Sequence, residues 1–416
     1  MAMRHRGYAL TWTLVAGMTL PAVAHAGQTR AEQLEEQRAE RAREGPPQPR
    51  TPLEKALRLV DSSRLLEPSR PVKSMFYPKV RTVTTGGGLG FGGGYRSAFA
   101  NDNLLFDVNA VITMRGYRLG RAELSLPRLL KHTLEVKTFG RYRYFSQEDF
   151  YGLGLDSTKA DRTDFLIEEK EFTAQLIWRP RSWLTLASQT ASLNPRVGAG
   201  TDRHQLSTGA RFTEETAPGL TRQTHFLEQG GLAEIDYRDS AGRARSGGRY
   251  AIYASRYDDR RDRGFDFSRV AAQVEQYLPI FDSKRVVVLR LATHHLAAGT
   301  GSRVPFYYMS AFGGKDTIRG VNDLRFRDAN AWVMTTEYRW EALSGVDLAL
   351  FYDRGGVAPR FSDLSVRRGT DSYGLGVRAG TDSAIFLRAE MAFGGSEGAR
   401  YYVAFSGPLK IEQWLR

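Results

Sequence analysis

Ionisable residues of opposite sign recur at strand spacing between positions 318 and 355. An Ile318-Arg319-Gly320-Val321 quartet precedes a segment carrying Glu337, and that segment precedes Phe351-Tyr352-Asp353-Arg354-Gly355. A guanidinium presents five donors in a planar fork, so Arg319 can hold two carboxylates on adjacent strands at once. This is charge recognition, not bond-making chemistry. Read as a strand, Trp332 to Trp340 puts Trp332, Met334, Thr336, Tyr338 and Trp340 on one face, with Val333, Thr335, Glu337 and Arg339 on the other. Val346 to Asp353 divides likewise, with Leu348, Leu350 and Tyr352 opposing Ala349, Phe351 and Asp353. Glu337 and Asp353 therefore point to the same, charged side.

Other motifs fit catalysis or metal binding poorly. Gly88-x-Gly90-x-x-Gly93 matches a dinucleotide fingerprint, which needs a strand before the glycines and a helix at them. Neither is legible, and a glycine-rich strand that pairs weakly is the better reading. Gly394-x-Ser396-x-Gly398 has the spacing of a nucleophile elbow but lies between two amphipathic strands, as a hairpin turn would. His294 and His295 are adjacent, so on a strand their rings face opposite ways and cannot share a metal; Glu168 and Glu169 fail as an acid/base pair for the same reason. No enzyme activity, metal or cofactor is expected.

The charged segments must be positioned by elements with a greasy outside and a charged inside, the reverse of a soluble sheet. A transmembrane β-barrel with a wet lumen has that requirement. The pattern recurs: Leu134, Val136, Thr138, Tyr142 and Tyr144 alternate with Glu135, Lys137, Arg141 and Arg143. Phe106, Val108, Ala110 and Ile112 oppose Asp107 and Asn109, and Val287, Leu289 and Leu291 oppose Arg290 and His294. A soluble antiparallel sandwich also alternates, but the export signal together with the motifs below points to a barrel. Met1 to Arg6 is basic, Tyr8 to Leu20 is apolar, and Ala24-His25-Ala26 is an A-x-A cleavage site before Gly27. The apolar run is short for a membrane anchor, and no other long apolar run follows it. Residues 1–26 are therefore expected to be a signal peptide, which predicts a mature chain beginning at Gly27 and fractionating with the bacterial outer membrane. Intact-mass measurement and fractionation check this, and recovery as a soluble periplasmic protein would exclude a barrel.

The 416 residues include no cysteine, so no disulfide staples the exported chain. The net charge of +13 could suit nucleic acid, but no compact basic motif stands out, and arginines lining a lumen and facing lipopolysaccharide or periplasm account for it. Composition divides the chain into a linker at 27–79 with an amphipathic helix over Leu53 to Leu66, a barrel at 80–409, and a tail at 410–416. That helix either docks in the barrel or lies free. The 330 barrel residues suit sixteen strands at about twenty residues per strand and connection, where a spanning strand takes about ten. The first strand is expected near Val83 to Tyr95 and the last near Ala399 to Ser406, with long outer connections at Gln147 to Thr163 and Asn194 to Arg222. Trp178, Trp183 and Trp340 flank short turns, where an interfacial girdle belongs. The expected fold is an all-β, antiparallel transmembrane barrel of sixteen strands.

Gly313-Gly314, Ile318-Arg319-Gly320-Val321, Arg325-Phe326-Arg327-Asp328, Glu337-Tyr338-Arg339 and Phe351-x-Asp353-x-Gly355 together resemble the BamA/TamA and bacterial surface antigen superfamily of outer-membrane barrels. Phe150-Tyr151-Gly152-Leu153-Gly154 and Asp236-Tyr237-Arg238-Asp239 are similar to further landmarks of that family. The resemblance implies that Arg319 tips a long loop folded into the lumen, with Asp353 as its main partner and Glu337 as a second. Val321 stands where the family has an aromatic residue, and 27–79 resembles no POTRA module. Tyr401, Val403 and Phe405 are similar to the C-terminal targeting strand of such barrels, although eleven residues from Ser406 to Arg416 follow. The function implied is insertion or translocation of a protein or lipid client in the outer membrane. The alternative is a passive pore or structural surface antigen, and no nucleic-acid partner is expected.

Overall fold

The structure is a computed structural model that describes residues 74–83, 86–240, 242–381, 385–394 and 397–404. The expected signal peptide, the Leu53 to Leu66 helix, Ser396 and Phe405 lie outside the described residues. Sixteen strands run in chain order: β1 (Met75–Thr82), β2 (Leu89–Phe99), β3 (Leu104–Thr113), β4 (Arg118–Leu129), β5 (Leu134–Phe150), β6 (Thr163–Arg181), β7 (Leu184–Ala199) and β8 (Phe226–Asp236), then β9 (Gly247–Asp259), β10 (Phe267–Ile280), β11 (Asp282–Ala298), β12 (Asn330–Leu343), β13 (Val346–Ala358), β14 (Thr370–Gly380), β15 (Ile385–Phe393) and β16 (Ala399–Ala404). Each pairs antiparallel with the next. Among the described residues no ladder joins β1 to β16, so the nearly closed barrel has a seam there. β1 contains Pro78, a residue confined to edge strands because it lacks a backbone donor.

The faces are inverted relative to a soluble sheet. Phe91, Ile112, Phe172, Ile252, Leu291, Leu350 and Tyr373 stand exposed outside, while Glu169, Arg269, Glu275, Asp347 and Arg378 are buried inside. No described helix is long and apolar enough to cross a membrane. The first strand, expected over Val83 to Tyr95, starts only at Leu89 and is the second strand, because β1 precedes it and pairs with β2 from Met75 opposite Arg96 to Thr82 opposite Leu89. β2 carries Gly90, Gly92, Gly93 and Gly94, so it has few side chains from which alternation could be read. β5, β6 and β7 are 17, 19 and 16 residues long and extend into the expected connections, leaving 151–162 and 200–225 as loops. The short turn between β12 and β13 closes on Gly345, whose φ of 83° suits glycine.

Two connections fold over the lumen. Residues 299–329, between β11 and β12, enter it from the long-loop end. At the opposite end, the β8–β9 turn (237–246) reaches under the barrel to β12 and β13. Arg243 there donates from Nε and Nη2 to Asp347 at 3.0 and 2.7 Å and from Nη2 to Glu341 at 3.1 Å. Arg245 adds a 2.9 Å bond from Nη2 to Asp347, and Ala244 packs with Tyr277, Val286 and Val288.

Candidate functional site: a lumenal loop pinned by a buried arginine

The loop is anchored first by aromatic packing. Phe306, Tyr307 and Tyr308 are buried in a cluster with Phe150, Phe165, Phe226, Tyr257 and Phe267 from the β5, β6, β8, β9 and β10 wall. The Tyr308 hydroxyl donates to Glu169 Oε2 at 2.8 Å, and Phe306 N–H donates to the Pro218 carbonyl at 2.8 Å. The chain then forms a small antiparallel pair, Ser310–Phe312 with Phe326–Asp328, that carries the tip between them. Ile318 and Val321 bury their side chains with Phe312, Phe326, Val333 and Val357. Val321 thus fills an apolar niche.

Arg319 is only 4 % exposed and Asp353 is fully buried. Arg319 Nε donates to Asp353 Oδ2 at 2.9 Å and Nη2 donates to Oδ1 at 2.7 Å, a bidentate pair. Its backbone N–H donates to the same carboxylate at 3.2 Å. Nη1 reaches Glu390 Oε1 at 3.0 Å and Glu337 Oε2 at 3.4 Å, and the guanidinium carbon lies 3.3 Å from the Phe351 ring centroid. The hydroxyls of Thr335 and Ser372 each donate to Asp353 at 3.0 Å. A buried carboxylate needs such donors to stay charged at tolerable cost.

The structure therefore brings Arg319, Glu337, Phe351 and Asp353 into one cluster, and adds Glu390, Arg378 and Arg388, which motif reading did not single out. Arg378 bridges Glu337 at 2.6 Å and Glu390 at 3.2 Å, Arg388 pairs with Glu390 and Asp316 at 3.3 and 3.1 Å, and Arg339 bonds Glu337. Arg319, Arg339, Arg378 and Arg388 thus face Asp316, Glu337, Asp353 and Glu390, and Lys315 also pairs with Asp316. Burial opposes the charge on Arg319, but Asp353, Glu390 and Glu337 outweigh it and raise its pKa above the ordinary guanidinium value. Burial likewise pushes the Asp316 carboxyl up, yet Lys315 and Arg388 win and hold it at about 2. Alternation along Arg388, Glu390 and Ala392 was the available signal for Glu390.

The two motif glycines work by close approach. A Cβ on Gly355 would sit 2.7 Å from the Trp332 carbonyl and 3.0 Å from Ile318 Cδ1. A Cβ on Gly320 would sit 2.6 Å from Ser372 Cβ and 2.7 Å from the Gly394 nitrogen. Gly320 is absent from the positive-φ positions, so proximity and not a tight turn requires it. Gly320→Ala is expected to lift the tip and speed loop proteolysis with every charge in place, at an overpacking cost of about 1–3 kcal/mol. Limited proteolysis of the folded barrel measures it.

Beyond the arginine, the tip reaches the last strand. Arg325 Nε donates to Glu397 Oε1 at 2.9 Å, and its terminal nitrogens bond Ser157 at 2.9 and 2.6 Å. Asn322 N–H donates to Glu397 Oε2 at 2.6 Å, and the Tyr402 hydroxyl donates to the Val321 carbonyl at 3.4 Å. Glu397 lies just before β16 and Tyr402 within it. Tyr401 and Val403 face outward and are exposed. His294 and His295 pair across β11–β12 with Ala331 and Asn330, in consecutive register positions.

Residues 228–398 match the Omp85 superfamily domain. The chain is similar in fold to BamA from Haemophilus ducreyi lacking POTRA domains 1–3, with a TM-score of 0.61 and 12 % identity over 81 % of this chain and 70 % of that one. It is also similar to CdiB from Escherichia coli, with a TM-score of 0.52 and 12 % identity, covering 82 % of this chain but 63 %, less than two thirds, of that one. A search of curated proteins finds no match. The Omp85 likeness thus covers residues 228–398, the part of the barrel from β8 to β15 that holds Arg319 and its partners.

Proposed function

We propose that this protein resides in the bacterial outer membrane, where it inserts or translocates a protein or lipid client and acts without enzymatic chemistry. The observation that carries the reading is the position of the loop tip. Arg319 is locked to β12, β13 and β15, while Asn322 and Arg325 bond Glu397 beside β16, one border of the β1–β16 junction. A loop held at that place can couple the state of the seam to the contents of the lumen, whereas a passive pore has no use for it. The β8–β9 turn clamped to Asp347 also favours a regulated lumen over an open one. Depletion of the protein, followed by outer-membrane proteomics and lipid analysis, tests the proposal. Selective loss of one client class is the expected result. Steady single-channel conductance with no change in any client would establish the passive pore instead.

A further inference from the structure

The outer wall of β4–β7 changes character toward the long-loop end. On β6 the outward residues run Trp178, Leu176, Ala174, Phe172, Lys170 and Glu168, alternating with the inward, buried Glu169. Strands rise about 3.3 Å per residue and tilt about 40° in such barrels, so Lys170 lies about 20 Å above Trp178 and Glu168 about 25 Å above it. The apolar band of an outer-membrane barrel is itself about 25 Å tall. These residues therefore fall at the level of the lipid headgroups.

Cations gather around that level on neighbouring strands. Tyr144 pairs with Arg118 on one side and Glu168 on the other, Glu168 pairs with Arg196, and Tyr142 pairs with Lys170. Arg118, Lys170 and Arg196 are exposed, and none has an ion-pair partner among the described residues. The Arg118 guanidinium carbon sits 5.4 Å from the Tyr144 ring centroid. With Glu168 the strip is an excess of two positive charges beside two tyrosines that border the apolar band. Such a surface matches a lipid whose headgroup carries phosphate and whose chains lie along the wall below.

We propose that Arg118, Lys170 and Arg196 bind the phosphates of a phosphorylated saccharolipid in the outer leaflet. The inference rests on the outer-membrane placement proposed above. It is tested on the detergent-purified full chain by native mass spectrometry, titrating diphosphoryl lipid A, its dephosphorylated form and inorganic phosphate. The wild type is expected to bind the diphosphoryl lipid at least about tenfold more tightly than the dephosphorylated one, and R118A/K170A/R196A to lose that preference. Glu168→Gln is expected to tighten binding, because it removes the one carboxylate within the strip. Heat-modifiable gel migration verifies that each variant is folded, which exposed side chains should leave unchanged. Equal affinity for both lipids, an undiminished preference in the triple variant, or full displacement by inorganic phosphate at equal concentration would overturn the assignment. Lipid binding is read without any client, so its failure leaves the loop-and-seam function standing, and failure of that function leaves the lipid result intact.

Discussion

Arg319→Ala is expected to free the 299–329 loop while leaving the barrel folded. The substitution leaves Asp353, Glu337 and Glu390 facing one another with the cation between them gone. Breaking a buried pair by removing one partner costs about 3–5 kcal/mol, and Arg378, still bonded to Glu337 and Glu390, holds the loss toward the lower figure. The barrel ladders are untouched, so the loss should appear as faster proteolysis within the loop and not as altered heat-modifiable migration. Arg319→Lys should recover little, because an ammonium cannot form the two parallel bonds to Asp353 and still reach Glu390. Asp353→Ala should resemble Arg319→Ala, and the double variant should be scarcely worse than either, since both remove one contact. A double-mutant cycle on loop protection is the measurement. Strictly additive losses would show that the pair contributes nothing to holding the loop.

The parts of this site that are legible in the sequence are those where two periods coincide. Leu348, Leu350 and Tyr352 alternate so cleanly with Ala349, Phe351 and Asp353 that both faces of β13 can be assigned from spacing, and the structure has the first set outside and the second inside. The placement of Arg319 is a different matter, because a loop has no period. Its position came from family resemblance, and the aromatic anchor at Phe306, Tyr307 and Tyr308 carried no readable signal. Glu390 and Arg378 escaped notice for a related reason. Their strands offer weak outward contrast, with Ala389 beside Glu390 and Ala379 beside Arg378, and their partner Arg319 lies 71 residues from Glu390 in sequence. β1 was hidden by Pro78, which argues against a central strand but is tolerated at the seam. A side chain at Gly320 would meet Ser372 and the backbone at Gly394, which no local spacing reveals.

Releasing the turn at the other mouth of the barrel should have the second large effect. In the Arg243-Ala244-Arg245 run, Arg243 is buried and shares Asp347 with Arg245 across 104 and 102 residues of chain. Asp347→Ala leaves the two guanidinium groups to share the carboxylate of Glu341, a half-buried residue near the end of β12, with one bond from Arg245 to the Lys284 carbonyl. Hydrogen bonds to charged groups contribute about 1.5–3 kcal/mol, so losing this carboxylate should raise the open population of the turn about tenfold or more. Trypsin reads the change directly, because an open turn presents Arg243 and Arg245 as cleavage sites and a clamped one does not. Single-channel recordings of the same variant should show larger or more frequent openings if the turn restricts the lumen. Glu341→Gln should have a smaller effect, since Asp347 still binds both arginines. Unchanged tryptic cleavage in Asp347→Ala would mean that the packing of Ala244 against Tyr277, Val286 and Val288 holds the turn without the ion pairs.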